Sequence, residues 1–252
     1  MIVIKFGGHA MGTHAQDWMR EIATRFSDGE KFVVVHGGGP QIDNELKMRQ
    51  IEVKMQNGFR VTTPDVMHVV EMVLTGTVLR SVVRSLRDAG LPAVGITGSD
   101  AQLLEVELKD EQQLGLVGKV VKVNPKILHD LVDMGYLPVV SPVSNAVNGQ
   151  ALNINADLAA GAIAGALRAN QMIFLTDVPG IFANWPDRDS LINEISVDDL
   201  SAMNFTEGMI PKVEAAVNAV RSGSLSARVI DGKSLSAFQS ALVGQGGTWI
   251  HA

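Results

Sequence analysis

VVVHGGGPQI, residues 33–42, is a run of valines that reaches His36 and then opens into three consecutive glycines. A short apolar run of β-branched residues reads as a buried strand. Ending such a strand in residues without side chains lets a ligand approach the backbone closely. MIVIKFGG, residues 1–8, has the same design, a Val/Ile strand that meets Gly7 and Gly8. In an open α/β sheet, ligands bind beyond the carboxyl ends of the strands, where strand turns into helix. Glycine amides and a helix N-terminus at that position form a cradle for anionic oxygens. One glycine pair reads equally well as a tight turn. Two at equivalent strand ends favour the anion site.

Working outward, strand-like and helix-like stretches alternate. MIVIKF, KFVVVH, PAVGIT, LPVVSPV, MIFLT and ARVIDG are strand-like, whereas AQDWMREIATRF, PQIDNELKMRQ, NPKILHDLVDMG, NADLAAGAIAGALRA and IPKVEAAVNAVRSG have helical spacing. The long VMHVVEMVLTGTVLRSVVRSLRDAG is helical up to a stop at Gly90. This alternation predicts an α/β fold, a three-layer αβα sandwich around a mainly parallel sheet. LLEVELKDEQQLGLVGKVVKV and KMQNGFRVT, the latter with an Asn-Gly turn, read as β-hairpin insertions. No repeat or low-complexity linker marks a boundary. A division is expected near residue 170, giving lobes 1–170 and 171–252.

Composition narrows the class. The 252 residues are 46% hydrophobic but only 5% aromatic, so the core is aliphatic. Cysteine is absent, which excludes disulfides and thiolate chemistry. A net charge of −6 argues against a general nucleic-acid binder. The N-terminal run meets Lys5 too early for a signal peptide, and apolar runs look interrupted before a membrane-spanning length. A soluble, cytoplasmic protein is expected.

Familiar nucleotide motifs fail. Counted from Gly37, the third glycine of a dinucleotide fingerprint would fall on Ile42. DGKS, residues 231–234, ends like a phosphate loop, but the first glycine that loop needs would fall on Ala227. Single polar residues then stand out. Lys5 sits inside a buried strand, where an ammonium is costly unless it meets an anion. Lys212 opens a helix, whose dipole already favours negative charge. Asp157 begins the Ala-rich helix, either as a first-turn or capping carboxylate or as an acid holding two ammonium groups. Arg60 follows the Asn-Gly turn, either solvated or gripping a carboxylate in bidentate fashion. Asn153 and Asn155 add amides beside Asp157.

IKFGGHAM, VVVHGGGPQI, NGFRVT, EMVLTG, GYLPVVSPV, LNINADLAA, LTDVPGI and EGMIPKVEAA, in this order across nearly the whole chain, resemble the motifs of the amino acid kinase family. They are most similar to those of members that phosphorylate N-acetyl-L-glutamate. The resemblance implies ATP as co-substrate, Mg²⁺ held mainly by the ATP phosphates, and transfer of the γ-phosphoryl group to the γ-carboxylate of the amino acid, a step of arginine biosynthesis. It implies that Lys5 and Lys212 neutralise the transferring phosphoryl group and that Asp157 orients both. Gly8 and Gly38 would hold its oxygens, with Gly7, Gly37 and Gly39 completing the turns. Arg60 and Asn153 would fix the α-carboxylate of the substrate. Thr176, Asp177, Gly208 and Met209 would line the nucleotide pocket. A carboxylate nucleophile needs no general base, so the six histidines are given no catalytic role.

Three stretches depart from the family pattern. Leu79-Arg80 stands where Asn-Lys is common, and Ser99 where lysine is frequent. FANWPDRDSLINEI is similar to sister kinases whose α-aminoadipate or glutamate is attached to an acidic carrier protein. A carrier-linked substrate is therefore the alternative, although the compact segment before Arg60 and the acidic chain favour a small free acid. A non-catalytic nucleotide sensor is disfavoured by the joint retention of Lys5, Asp157 and Lys212. The missing fingerprint disfavours a nicotinamide-dependent dehydrogenase. The resemblance also implies a homodimer through the long helix. With the first strand starting at once, no arginine-inhibited hexamer is expected.

Overall fold

The computed structural model describes residues 1–7, 15–205 and 208–252. The Val/Ile runs pair into one eight-stranded sheet. Its order is Glu194–Ser196, Thr248–His251, Ala227–Asp231, Gln171–Thr176, Ile2–Phe6, Phe32–His36, Leu137–Ser141 and Ala93–Thr97. Within it, only the pairing of Ala227–Asp231 with Thr248–His251 is antiparallel. Ile2–Phe6 lies at the centre, between Phe32–His36 and Gln171–Thr176, so the sheet runs unbroken across residue 170.

Strand alternation decides what each face carries. Ile2, Ile4 and Phe6 point to one face and pack with Trp18, Ile22 and Phe238. The rings of Phe6 and Trp18 stack at 6.0 Å between centroids. Val3 points to the other face, against the small side chains of helices Ala156–Ala166 and Ile210–Arg221. Lys5, two residues beyond Val3, shares that second face.

The stretch Pro64–Asp88 forms one continuous helical segment that widens to π geometry over Met72–Val78. At 25 residues and a mean hydropathy of 1.5 it is long and apolar enough to cross a membrane, contrary to the reading of interrupted apolar runs. However, 56% of its most apolar window is buried inside the fold, which marks a core helix packed on the sheet. It stops at Gly90, with φ +88°, as the Gly signal predicts.

Both expected hairpins form. Met55–Gln56 pairs with Phe59–Arg60 around Asn57 and Gly58, which take φ of 50° and 79°. Leu104–Leu108 pairs antiparallel with Val117–Val123, and these join Ala151–Ile154 and Val143–Asn145 in a four-stranded sheet. The helix Leu235–Leu242 and the strands Glu194–Ser196 and Thr248–His251 were not foreseen. The two strands are only three and four residues long, too short for an alternation to register.

Candidate active site

Small residues set the site by letting two helices touch. A Cβ at Gly161 would lie 2.4 Å from the carbonyl oxygen of Ala215, and one at Gly165 would lie 2.5 Å from Cβ of Ser222. Helices Ala156–Ala166 and Ile210–Arg221 therefore meet backbone to backbone, and their first turns come together at the carboxyl end of Ile2–Phe6. Asn155, not Asp157, caps the first of these helices, accepting from the amides of Asp157 and Leu158. That leaves the Asp157 carboxylate free for other partners.

Those partners are the two lysines. Asp157 Oδ1 lies 2.8 Å from Lys5 Nζ, and Asp157 Oδ2 accepts from Lys212 Nζ at 3.2 Å. The side chains of Lys5 and Asp157 are 9% and 7% exposed, that of Lys212 20%. Burial alone would raise the pKa of Asp157. The two ammonium groups outweigh it and hold the carboxyl below the ordinary range. The cluster carries a net positive charge, with one acid between two cations.

The Gly37–Gly39 turn lines the same cleft. Gly38 precedes the helix Gly39–Met48, whose first N–H groups have no intrahelical acceptor. A Cβ on Gly38 would come within 2.6 Å of Leu74 Cδ2 and 3.2 Å of Val78 Cγ2, so a side chain there would have to push aside the tips of two side chains of the π segment. The amide of Gly37 donates to the carbonyl of Phe6 at 2.8 Å, so it ties the two strand ends together instead of pointing to a ligand. His36 beside it is fully buried, Nδ1 lies 3.0 Å from the Gly37 carbonyl, and burial lowers its pKa to about 4.

Lys5, Gly7, Gly37, Gly38, Gly39, Arg60, Asn153, Asp157, Thr176, Asp177, Gly208, Met209 and Lys212 all line one cleft of about 850 Å³. Gly8 lies outside the described residues. At one end, Asn153 Nδ2 donates to Thr62 Oγ1 at 3.1 Å, and Thr62 Oγ1 donates to the Arg60 carbonyl at 2.7 Å. At the other end, Thr176 Oγ1 lies 2.8 Å from the Val178 carbonyl and 3.1 Å from the Ile230 carbonyl, with one proton to donate between them, and accepts from the Val178 amide, fixing the strand end from which Asp177 projects. Between the ends lie two ammonium groups and the first turns of three helices, an arrangement suited to a polyanion. The volume falls within the range of about 300–1,000 Å³ usual for ligand sites.

Comparison with known proteins gives the family and the fold. Residues 1–231 match the model of the amino acid kinase family. The chain belongs to the amino acid kinase family. Like other kinases it has close relatives: it is 43% identical over 250 residues to the acetylglutamate kinase of Kineococcus radiotolerans, covering 92% of this chain and 83% of that one. Among solved structures, smu.665 from Streptococcus mutans superimposes with a TM-score of 0.85 at 30% identity, over 100% of this kinase and 98% of that chain. Carbamate kinase from Giardia lamblia bound to AMP-PNP shares the fold, with a TM-score of 0.76 at 19% identity over 99% of this chain and 97% of its own.

Several residues of the kinase cleft escaped the sequence reading. Gly232 and Lys233, from the DGKS stretch set aside as a failed phosphate loop, line the wall at the carboxyl end of Ala227–Asp231. Asn184, Trp185 and Asn204 line it as well. The rule of strand carboxyl ends would have found Gly232 and Lys233. Asn184, Trp185 and Asn204 lie in irregular segments whose course no periodicity reveals.

Proposed function

We propose that this kinase transfers the γ-phosphoryl group of ATP to the γ-carboxylate of N-acetyl-L-glutamate. The observation that carries this reading is the Lys5–Asp157–Lys212 cluster, two ammonium groups held by one buried acid in the cleft that Gly38 also lines. A carboxylate oxygen of the acceptor attacks the γ-phosphorus. The new O–P bond forms as the bond to the β–γ bridging oxygen breaks, and ADP leaves with its electron pair. No proton moves, so the work is alignment and charge dispersal. Lys5 and Lys212 neutralise the phosphoryl oxygens from two sides, and Asp157 keeps both ammonium groups aimed. The amide of Gly38, with Gly8 as its counterpart in the first turn, holds those oxygens, and Gly7, Gly37 and Gly39 shape the turns.

Arg60 and Asn153 bind the α-carboxylate of the acceptor. Thr176, Asp177, Gly208 and Met209 bind the nucleotide. Residues 1–170 thus supply the amino-acid side and residues 171–252 the nucleotide side. Asp157 is already engaged by two lysines, and the described residues contain no group of three His, Asp or Glu side chains able to cage an ion. Mg²⁺ would be held mainly by the ATP phosphates and water, as suits a small hard cation, and would supply charge neutralisation there. The enzyme works in the cytoplasm as a homodimer joined through the outer face of the Pro64–Asp88 helix, which sedimentation at micromolar concentration tests.

The reaction is tested by trapping the acyl phosphate with hydroxylamine in the presence of ATP. The acceptors are N-acetyl-L-glutamate, glutamate, aspartate and a carrier-linked glutamate. Strong trapping with the acetylated acid alone is expected. Preference for the carrier-linked acid would overturn the substrate assignment, and no trapping with any acceptor would overturn the reaction.

A further inference from the structure

We propose that Asp43 is a positioning residue that sets the guanidinium of Arg60 for the acidic acceptor. The proposal rests on the reading of Arg60 as the carboxylate-binding residue. Asp43 Oδ1 lies 2.6 Å from Arg60 Nη1, and the two side chains are 51% and 9% exposed. Arg60 lines both the central cleft and a neighbouring groove of about 810 Å³, whereas Asp43 lines the groove alone. Asp43 therefore holds the guanidinium from the side away from the reacting groups. A guanidinium has five N–H donors in a rigid fork, so one carboxylate on Nη1 leaves a bidentate face for a ligand in the cleft.

The pair also joins two parts of the site. Asp43 stands on the helix Gly39–Met48, which begins at the glycine turn, and Arg60 stands on the strand Phe59–Arg60 of the hairpin. The brace continues from the Arg60 carbonyl through Thr62 Oγ1 to Asn153 Nδ2. The acceptor side of the cleft is thereby fixed to the helix that carries the phosphate side. An acid beside an anion site would otherwise only repel its ligand. Asp43 is half exposed and its charge is screened by water, so orientation of the nearly buried arginine outweighs repulsion.

Steady-state kinetics of the full-length enzyme test this. Asp43→Ala is expected to raise KM for N-acetyl-L-glutamate about tenfold, the scale expected when a flexible side chain must be ordered by the ligand instead. KM for ATP and kcat should stay within about twofold, because the phosphoryl-transfer groups are untouched. Asp43→Glu should restore most of the affinity. Placed in an Arg60→Ala background, Asp43→Ala should add nothing, which a merely structural role would not predict. A KM that falls or holds in Asp43→Ala makes the aspartate a competitor or a bystander and overturns the proposal, as does an equal penalty without Arg60. If the wild type turns over no acceptor, the reaction assignment fails separately. Calorimetric titration of N-acetyl-L-glutamate into wild type and Asp43→Ala then decides, and equal affinity, or none in either, overturns the role of Asp43.

Discussion

Replacing Asp157 by asparagine isolates the charge at the centre of the site. The amide has nearly the shape of the carboxylate and keeps one acceptor, but it leaves two ammonium groups, 2.8 and 3.2 Å away, facing each other without an anion. At an effective dielectric near 20, unit charges at about 4 Å interact by about 4 kcal/mol, so two contacts amount to roughly 8 kcal/mol gross. Burying the carboxylate costs several kcal/mol that asparagine does not incur, and breaking a buried pair nets about 3–5 kcal/mol. The lower end applies, because the amide still accepts one hydrogen bond and Lys212 can turn toward solvent. For a chain of this size, about 3 kcal/mol lowers Tm by roughly 6–12 °C. Differential scanning calorimetry at pH 7.5 measures the shift. ATP supplies the missing negative charge, so it should raise Tm of Asp157→Asn by more than it raises that of the wild type. A variant melting within about 2 °C of wild type, or one that gains less from ATP, would refute the reasoning.

Lys5→Met and Lys212→Met should each lower kcat by about 10²–10³, the loss typical of one group stabilising transition-state charge, and near-normal turnover in either would remove it from the mechanism. Gly161→Ala places a methyl 2.4 Å from the backbone oxygen of Ala215, which cannot give way as a side chain can. About 1–3 kcal/mol of stability should be lost to overpacking, together with kcat as Asp157 and Lys212 move apart, and urea titration with kinetics measures both. His36, buried with a pKa lowered from 6.5 to about 4, must gain a proton when the chain unfolds between those values. Its contribution is complete above pH 6.5 and is lost as pH falls toward 4, about 3 kcal/mol in all. Urea unfolding of wild type and His36→Leu across that range should show a steeper pH slope in the wild type.

Much of this fold could be read from period and punctuation. The strand Ile2–Phe6, the Asn57–Gly58 turn and the helix stop at Gly90 each follow from local rules that tertiary packing did not override. The site was legible because a lysine in a buried strand and another at a helix start are both locally unfavourable, and the structure gives the two the same acid. Other features depend on distance in space. Asp43 and Arg60 are separated by a turn and a hairpin, and no spacing rule foretells their contact. The N-cap role of Asn155 and the engaged amide of Gly37 likewise depend on which neighbour arrives first. The short C-terminal strand Thr248–His251 takes its place from pairing with Ala227–Asp231, not from its own sequence.

The same placement separates what sets the reaction from what sets the acceptor. Leu79-Arg80 and Ser99, where the resemblance leads one to expect Asn-Lys and lysine, are not among the residues that line the cleft. Leu79 is buried, and Arg80 Nη2 donates to the carbonyl of Gly95 at 3.2 Å, at the edge of the sheet. Those departures can therefore change sheet-edge packing without touching a reacting atom. Asn184 and Trp185, from the stretch similar to carrier-linked kinases, do line it, and Trp185 stands 53% exposed with its ring 5.3 Å from that of Phe182. On the function proposed above, the phosphoryl chemistry would rest on backbone contacts such as Gly161 with Ala215, where a side chain of any size collides. On that same proposal, acceptor and nucleotide preference would rest on hairpin and loop residues of the cleft, which can vary without parting the lysines. Substrate range in this kinase should accordingly follow Met55–Arg60 and the Phe182–Trp185 stretch, while its reaction type follows the packing of two Ala/Gly-lined helices.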